Sequence, residues 1–214
     1  MFAILFAQLE SSHTRRWGKI AAIMLAVMVT FISSAEARKV SRVIIDPGHG
    51  GKDKGAHRGS VYEKDLALKV AFLVEKMLKE KGMPVTMTRR NDQFISLRGR
   101  ADIANRYNNA IFISIHFNAH TGTSLNGVET YYHSDLGQKL AAHVHLRMLS
   151  QLQPRNGNTR QRKDLGVLKA TRCPAILVEC GYISNPAEAT LRRDCPQRKL
   201  LHTTHNRCDT QRQH

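Results

Sequence analysis

The sequence is short of acid: 17 Asp and Glu stand against 33 Lys and Arg in 214 residues, a formal charge of +16. That imbalance draws a chain to polyanions, whether nucleic acid, anionic lipid or acidic wall polymer, and says nothing about its fold. No C-x-x-C pair occurs among Cys173, Cys180, Cys195 and Cys208, so the spacing of a zinc knuckle or a redox dithiol is missing. Cys173 and Cys180 read as well as small apolar fillers beside a strand as they do as halves of a bridge. The apolar run Ile20 to Ile32 has roughly 13 residues, against the about 20 needed to span a bilayer. Basic residues are not interleaved with stacking aromatics, which counts against a nucleic-acid binder. There is no internal repeat or low-complexity tract.

What is present begins with a leader pattern. Arg15, Arg16 and Lys19 precede the apolar run, which closes on Ser33-Ser34-Ala35-Glu36-Ala37. A positive flank, a short apolar centre and Ala-x-Ala predict a secretory signal over residues 1–37, cleaved after Ala37. Thr14-Arg15-Arg16-Trp17 hints at twin-arginine export, although Gly18 sits where a large apolar residue is usual. The remainder stays strongly basic. An exported basic chain points to an anionic cell envelope, periplasmic or wall-associated, with no stable membrane span and no nucleic-acid partner.

Beyond the leader, apolar runs alternate with helical patterns. Val40 to Ile45 is a β-branched run ending in Asp46-Pro47-Gly48-His49-Gly50-Gly51, as a buried strand does on leaving the core. From about Glu63 to Lys81, Leu66, Val70, Leu73, Val74, Met77 and Leu78 recur at helical spacing, and Gly82 stands at a C-terminal cap. Pro84 to Thr88 predicts a second strand. Ser96 can cap a helix with Ile103, Ala104 and Tyr107 on one face. Ala110 to Ile115 is a third strand, running straight into His116, and Gly127 to Tyr132 a fourth. Asp135 to Leu149 sets Leu136, Leu140, Val144 and Met148 together on a helix; Gln151 to Asp164 is polar and basic, hence a loop. Ala175 to Val178 is a fifth strand, ending at Glu179. Asn185, Pro186 and Glu188 match cap, first-turn and capping-box positions of a short last helix. The pattern predicts an α/β fold: a mostly parallel central sheet with helices on both faces, in one catalytic domain over residues 38–191. Residues 192–214 are basic and show no apolar face, and are expected to be a poorly ordered or altered tail.

In open α/β sheets, ligands bind beyond the carboxyl ends of the strands. His49, His116 and Glu179 follow three of the predicted strands, and Glu63 opens the first long helix. Each alone has a duller reading: a hydrogen-bonding loop histidine, a core histidine, a surface ion pair, a first-turn acid favoured by the helix dipole. Gathered on one rim, they suit metal-assisted hydrolysis. Two imidazoles and a carboxylate (His49, His116 and Glu63) form a known zinc set that leaves one position open. Glu179 is then the acid–base carboxylate, its proton affinity raised by desolvation between Val178 and Ile183. His143 and His145, two apart on a helix, cannot share a face.

These residues lie in motifs that resemble the zinc-dependent N-acetylmuramoyl-L-alanine amidases of the type 3 group. The matching stretches are Ile45-Asp46-Pro47-Gly48-His49-Gly50-Gly51, Glu63-Lys64-Asp65-Leu66, Leu97-x-x-Arg100 with Ala104-Asn105, and Ser114-Ile115-His116-Phe117-Asn118-Ala119. Gly127-Val128-Glu129-Thr130 and Val178-Glu179-Cys180-Gly181-Tyr182-Ile183-Ser184-Asn185 complete the series. The resemblance implies zinc held by His49, Glu63 and His116, with Glu179 as acid–base and Asn118 and Arg100 at the substrate. The implied reaction cuts the amide between the lactyl group of N-acetylmuramic acid and L-alanine in peptidoglycan. The alternatives are another zinc-dependent wall-peptide hydrolase, such as a carboxypeptidase, and a catalytically impaired wall-binding protein. Some relatives insert a long regulatory helix before the last catalytic strand. The span from Tyr132 to Ala175 has little room for one, so a site open without an activator protein is expected.

Overall fold

Alternation along two strands sets the layers. In β1 (Arg42–Pro47), Val43 and Ile45 join one apolar cluster and Ile44 another, all three without exposed surface. In β5 (Ala110–Asn118), Ile111, Ile113, Ile115 and Phe117 take the first side, and Ala110 and Phe112 the second. Successive side chains point to opposite faces, so a strand apolar at every position must be covered on both. Each such fully buried Ile or Phe is worth about 1.5–3 kcal/mol of transfer free energy. The computed structural model describes residues 40–152 and 154–190. The expected leader and tail, with Cys195 and Cys208, lie outside the described residues. Cys173 and Cys180 are both free thiols, Cys180 buried in the larger cluster.

The remaining elements are β2 (His57–Arg58), β3 (Val61–Tyr62), α1 (Glu63–Glu80), β4 (Val85–Met87), α2 (Leu97–Ala104), β6 (Val128–Tyr132), α3 (Asp135–Leu152), β7 (Asn156–Gln161), α4 (Gly166–Ala170), β8 (Ala175–Tyr182) and α5 (Pro186–Thr190). Six strands form one sheet in the order β4-β1-β5-β8-β6-β7. Every neighbouring pair is parallel except β6 and β8. α1 and α3 cover one face; α2 and α4 pack on each other and on the opposite face. Among the described residues no helix is long and apolar enough to cross a membrane.

Local chemistry sets the helix ends as expected. The Gly82 amide donates to Lys79 O at 2.9 Å and the Met83 amide to Leu78 O at 3.0 Å, a Schellman closure of α1 with Gly82 at φ +75. Ser96 Oγ accepts from the Gly99 amide at 3.1 Å and starts α2, and Asn185 Oδ1 accepts from the Glu188 amide at 3.1 Å to start α5. The capping box does not close: the Glu188 carboxylate accepts from the Gly127 and Tyr182 amides, while the Asn185 amide donates to Tyr182 O.

Four expectations need correction. The span from Gln151 to Asp164 is not a loop throughout: β7 pairs with β6 there. As an edge strand it is largely exposed and carries no apolar alternation to betray it. β5 and β8 run on past the apolar stretch, so His116 and Glu179 sit inside strands, paired with each other in register. Leu136, placed on the buried face of its helix, is 55% exposed in the first turn of α3, whereas Leu140, Val144 and Met148 are buried. Tyr107 lies beyond α2, which stops at Ala104. The hairpin of β2 and β3 and the short α4 were not expected at all.

Candidate active site

The parallel strands β1, β5 and β8 end on one rim, and the antiparallel β6 starts there. The Gly48 amide donates to Ile115 O at 2.9 Å, which carries the β1 ladder one residue further. The chain then turns sharply at His49, φ +57, and is clamped by a reciprocal pair between Gly50 and Asp53 of 2.8 and 3.2 Å. The hairpin of β2 and β3 delivers Glu63, at the first position of α1, beneath that loop.

Glu63 is the hub. Its Oε1 lies 2.8 Å from His116 Nδ1 and accepts from the Phe117 amide at 3.1 Å. Its Oε2 lies 3.1 Å from His49 Nε2 and accepts from the Ala56 amide at 2.8 Å. The imidazoles meet edge to face, 4.9 Å apart and at 76°. One donor atom from each of His49, Glu63 and His116 falls within 4.8 Å of the others, the only such group among the described residues. Burial opposes ionisation of Glu63, yet its contacts with His116 and His49 outweigh that and hold the carboxyl well below the usual range. Burial works to lower the proton affinity of His49; Glu63 and Asp53, whose Oδ2 lies 2.9 Å from His49 Nδ1, raise it overall.

Glu179 stands across the ladder from His116 on one side and from Glu129 on the other. Its Oε2 is buried without a hydrogen-bond partner among the described residues. Burial, then the charges of Glu63 and Glu129, push its proton affinity well above the ordinary carboxylate value, against a weaker opposite pull from Arg162. Two imidazoles, one carboxylate and a nearby orphaned acid oxygen are a donor set that fits a divalent cation with an open position.

The cradle leaves no spare room. A Cβ on Gly48 would meet the His116 ring at 2.4 Å, and one on Gly55, φ +65, would meet Glu63 Oε2 and His49 Cδ2 at 2.6 Å. Gly55→Ala is therefore expected to lose metal as well as stability. Gly59→Ala, at φ +56 with nothing within 4 Å, should show only the backbone strain of about 1–2 kcal/mol. Metal content measured beside thermal melting separates the two, and equal metal content in both variants would refute the steric account.

Arg100, expected at the substrate, is turned into the protein. It is buried, and its guanidinium donates to Ile95 O at 3.0 Å, Asp46 Oδ1 at 2.7 Å, Pro47 O at 2.7 Å and His49 O at 2.6 Å. Asp46 also accepts from Thr88 Oγ1 at 2.6 Å and Ser114 Oγ at 2.7 Å. Arg89, which the sequence did not single out, is equally buried and donates to Pro47 O, Gly48 O, Lys64 O and Asn91 O. The two arginines hold the loop that carries His49. Arg100→Ala should cost about 3–5 kcal/mol in urea unfolding, because it strands the buried Asp46 charge. Lysine should not rescue it, since a point charge cannot reach that fan of acceptors. A variant as stable as the parent would return Arg100 to the substrate. Asp53 and Glu129 were also missed as site residues; Asp53 shares the His49 loop, and Glu129 stands in a motif whose role was not assigned. Asn118 lies at the end of β5, half-buried on the same rim.

An α/β sheet with this cluster at the carboxyl ends of its strands defines an α/β domain with a candidate metal centre. The chain belongs to the Amidase_3 family, N-acetylmuramoyl-L-alanine amidase, which it matches over residues 43–204. It is 35% identical over 162 residues to the probable cell wall amidase LytH of Staphylococcus aureus, 74% of this chain and 54% of that protein. The chain thus spans about half the length of the curated relatives it matches. The N-acetylmuramoyl-L-alanine amidase AmiC2 of Nostoc punctiforme superposes with a TM-score of 0.68 at 35% identity, covering 78% of this chain and 98% of that one. The CwlD amidase of Clostridioides difficile, solved in complex with the GerS lipoprotein, superposes with a TM-score of 0.64 at 28% identity, covering 70% and 86%.

Proposed function

We propose that the domain hydrolyses the amide between the lactyl group of N-acetylmuramic acid and L-alanine in peptidoglycan, with zinc held by His49, Glu63 and His116. The reading is carried by one juxtaposition: the three donors converge while the buried Oε2 of Glu179 stands beside them without a partner among the described residues. Zinc bound there would supply a Lewis acid that polarises the scissile carbonyl and acidifies water. The chain's own groups do the rest. Asp53 Oδ2 lies 2.9 Å from His49 Nδ1 as an ion-pair contact without hydrogen-bond alignment, on the side of the ring away from Nε2, which is turned to Glu63. Glu179 is the acid–base group: its carboxylate takes the proton of the attacking water and returns one to the departing L-alanine nitrogen. Its raised proton affinity makes it a stronger base than an ordinary carboxylate. Asn118 is the substrate donor of the rim.

The same reading assigns residues 38–191 to the catalytic domain and 1–37 to export, placing the enzyme in the periplasm or wall. There its basic excess would hold it on anionic envelope polymers through a salt-sensitive attraction. Activity without an activator is part of the proposal. It is supported by the span from Tyr132 to Ala175, which is taken up by α3, β7 and α4, all packed on the sheet or on α2. The deciding experiment is digestion of purified peptidoglycan by the isolated chain, with and without chelator, the products read by mass. New L-alanine amino termini on intact glycan, released only without chelator, support the proposal. Release of a terminal amino acid instead would make it a carboxypeptidase, and binding with no release a wall-binding protein.

A further inference from the structure

Glu129 is a carboxylate to which the proposed reaction gives no contact with substrate, although its charge helps raise the proton affinity of Glu179. It is buried near the start of β6 and stands opposite Glu179 across the antiparallel ladder. Two buried acids side by side repel each other, so packing alone is a poor reason for a second one here. Its contacts are specific. Oε2 accepts from Asn118 Nδ2 at 2.9 Å and also from the Tyr131 hydroxyl. Among the described residues Oε1 faces the mostly exposed Arg160 guanidinium, 3.7 Å away. Asn118 Oδ1 in turn accepts from the Ala119 amide at 2.8 Å. The carboxamide is thus pinned at both ends, with one Nδ2 hydrogen to spare. The terminal torsion of asparagine is soft and roughly two-fold, so an unpinned amide can exchange its donor and acceptor ends.

We propose that Glu129 is a positioning residue: it holds the Asn118 carboxamide with its spare N–H presented to the substrate, while Tyr131 braces the carboxylate. The inference rests on the amidase reading and extends it to a residue that never touches the scissile bond. Because both hydrogen bonds fall on one oxygen, Glu129→Gln can keep both and turn its amide nitrogen to the open side, where Arg160 can swing clear. Glu129→Ala keeps neither.

The test is a double-mutant cycle on kcat/KM for peptidoglycan. Glu129→Ala and Asn118→Ala are each expected to lose about 10- to 100-fold, with the same division between kcat and KM. The double variant should be no worse than about twofold below the weaker single one, because both remove the same contact. Glu129→Gln should recover most of the loss, with an acid limb displaced to lower pH no further than in Glu129→Ala, since both variants remove the charge that helps raise Glu179. Losses that multiply would overturn the proposal. So would a Gln variant as poor as Ala, since the charge of Glu129 acting on Glu179, rather than its hold on Asn118, would then be the role. If Glu129→Ala does not fold, Tyr131→Phe removes the brace alone, and its partial loss should vanish in the Asn118→Ala background. An inactive wild-type chain would sink the amidase reading and this inference together; an active one with multiplying losses sinks this inference alone.

Discussion

Glu179→Gln is expected to keep its metal, to melt no lower than the parent, and to lose about 10²- to 10⁴-fold in kcat. The shape is conserved and Oε2 has no hydrogen-bond partner among the described residues, so the amide breaks no such contact on that oxygen. What it removes is a buried carboxyl whose ionisation is opposed first by burial and then by Glu63 and Glu129. Relieving that repulsion should leave stability unchanged or raise it, a common outcome where an active-site group is held against its own stability. An amide cannot take a proton from water and give it to an amine. The same cause fixes the pH dependence: the base works only when ionised, so activity should fall as pH drops through a value above the ordinary 4.5 of a glutamate. Turnover within a few-fold of wild type would remove Glu179 from the proton path. A large loss of metal would instead make it part of the cradle.

Much of this geometry is legible in the sequence for one reason. In a sheet covered on both faces the interior strands are apolar almost throughout, so a polar residue at the end of such a run stands out. His116 follows Ile111 to Ile115 and Glu179 follows Ala175 to Val178, and register pairing makes them neighbours. Glu63 was visible because its helix has a clean apolar stripe to count back from. The gaps have equally specific causes. Periodicity does not report strand direction, so nothing indicated that β6 runs against β8 and brings Glu129, at its beginning, to the rim where the other strands finish. Nor does a motif report which way a long side chain points. Arg100 stands among the matched residues, yet its fork is spent on Asp46 and three carbonyls. Edge strands such as β7 have solvent for a neighbour, and their sequence is free of the pattern that marks interior ones.

Removing the metal should abolish activity by either of two routes, and the stability that goes with it should depend on pH in a stated direction. His116→Ala takes away one of three donors and should cost both metal and turnover; chelation should do the same to the parent, with added zinc restoring it. A bound ion also stabilises the fold through mass action, so chelation should lower Tm. Without the ion, the cradle has a substitute. His49 has a folded-state proton affinity raised above 6.5, chiefly through Glu63 and Asp53 working against burial. A raised pKa adds stability that is fully present below the unfolded value and is lost as pH climbs through the folded one. The ion-free chain is therefore helped by a proton on His49 in acid and not in base, while the ion competes with that proton for the same imidazole. The drop in Tm on chelation should be large near about pH 8 and small near about pH 5.5. An equal drop at both would mean that His49 is not among the groups holding the ion, and no drop at either would mean that the three donors do not hold one.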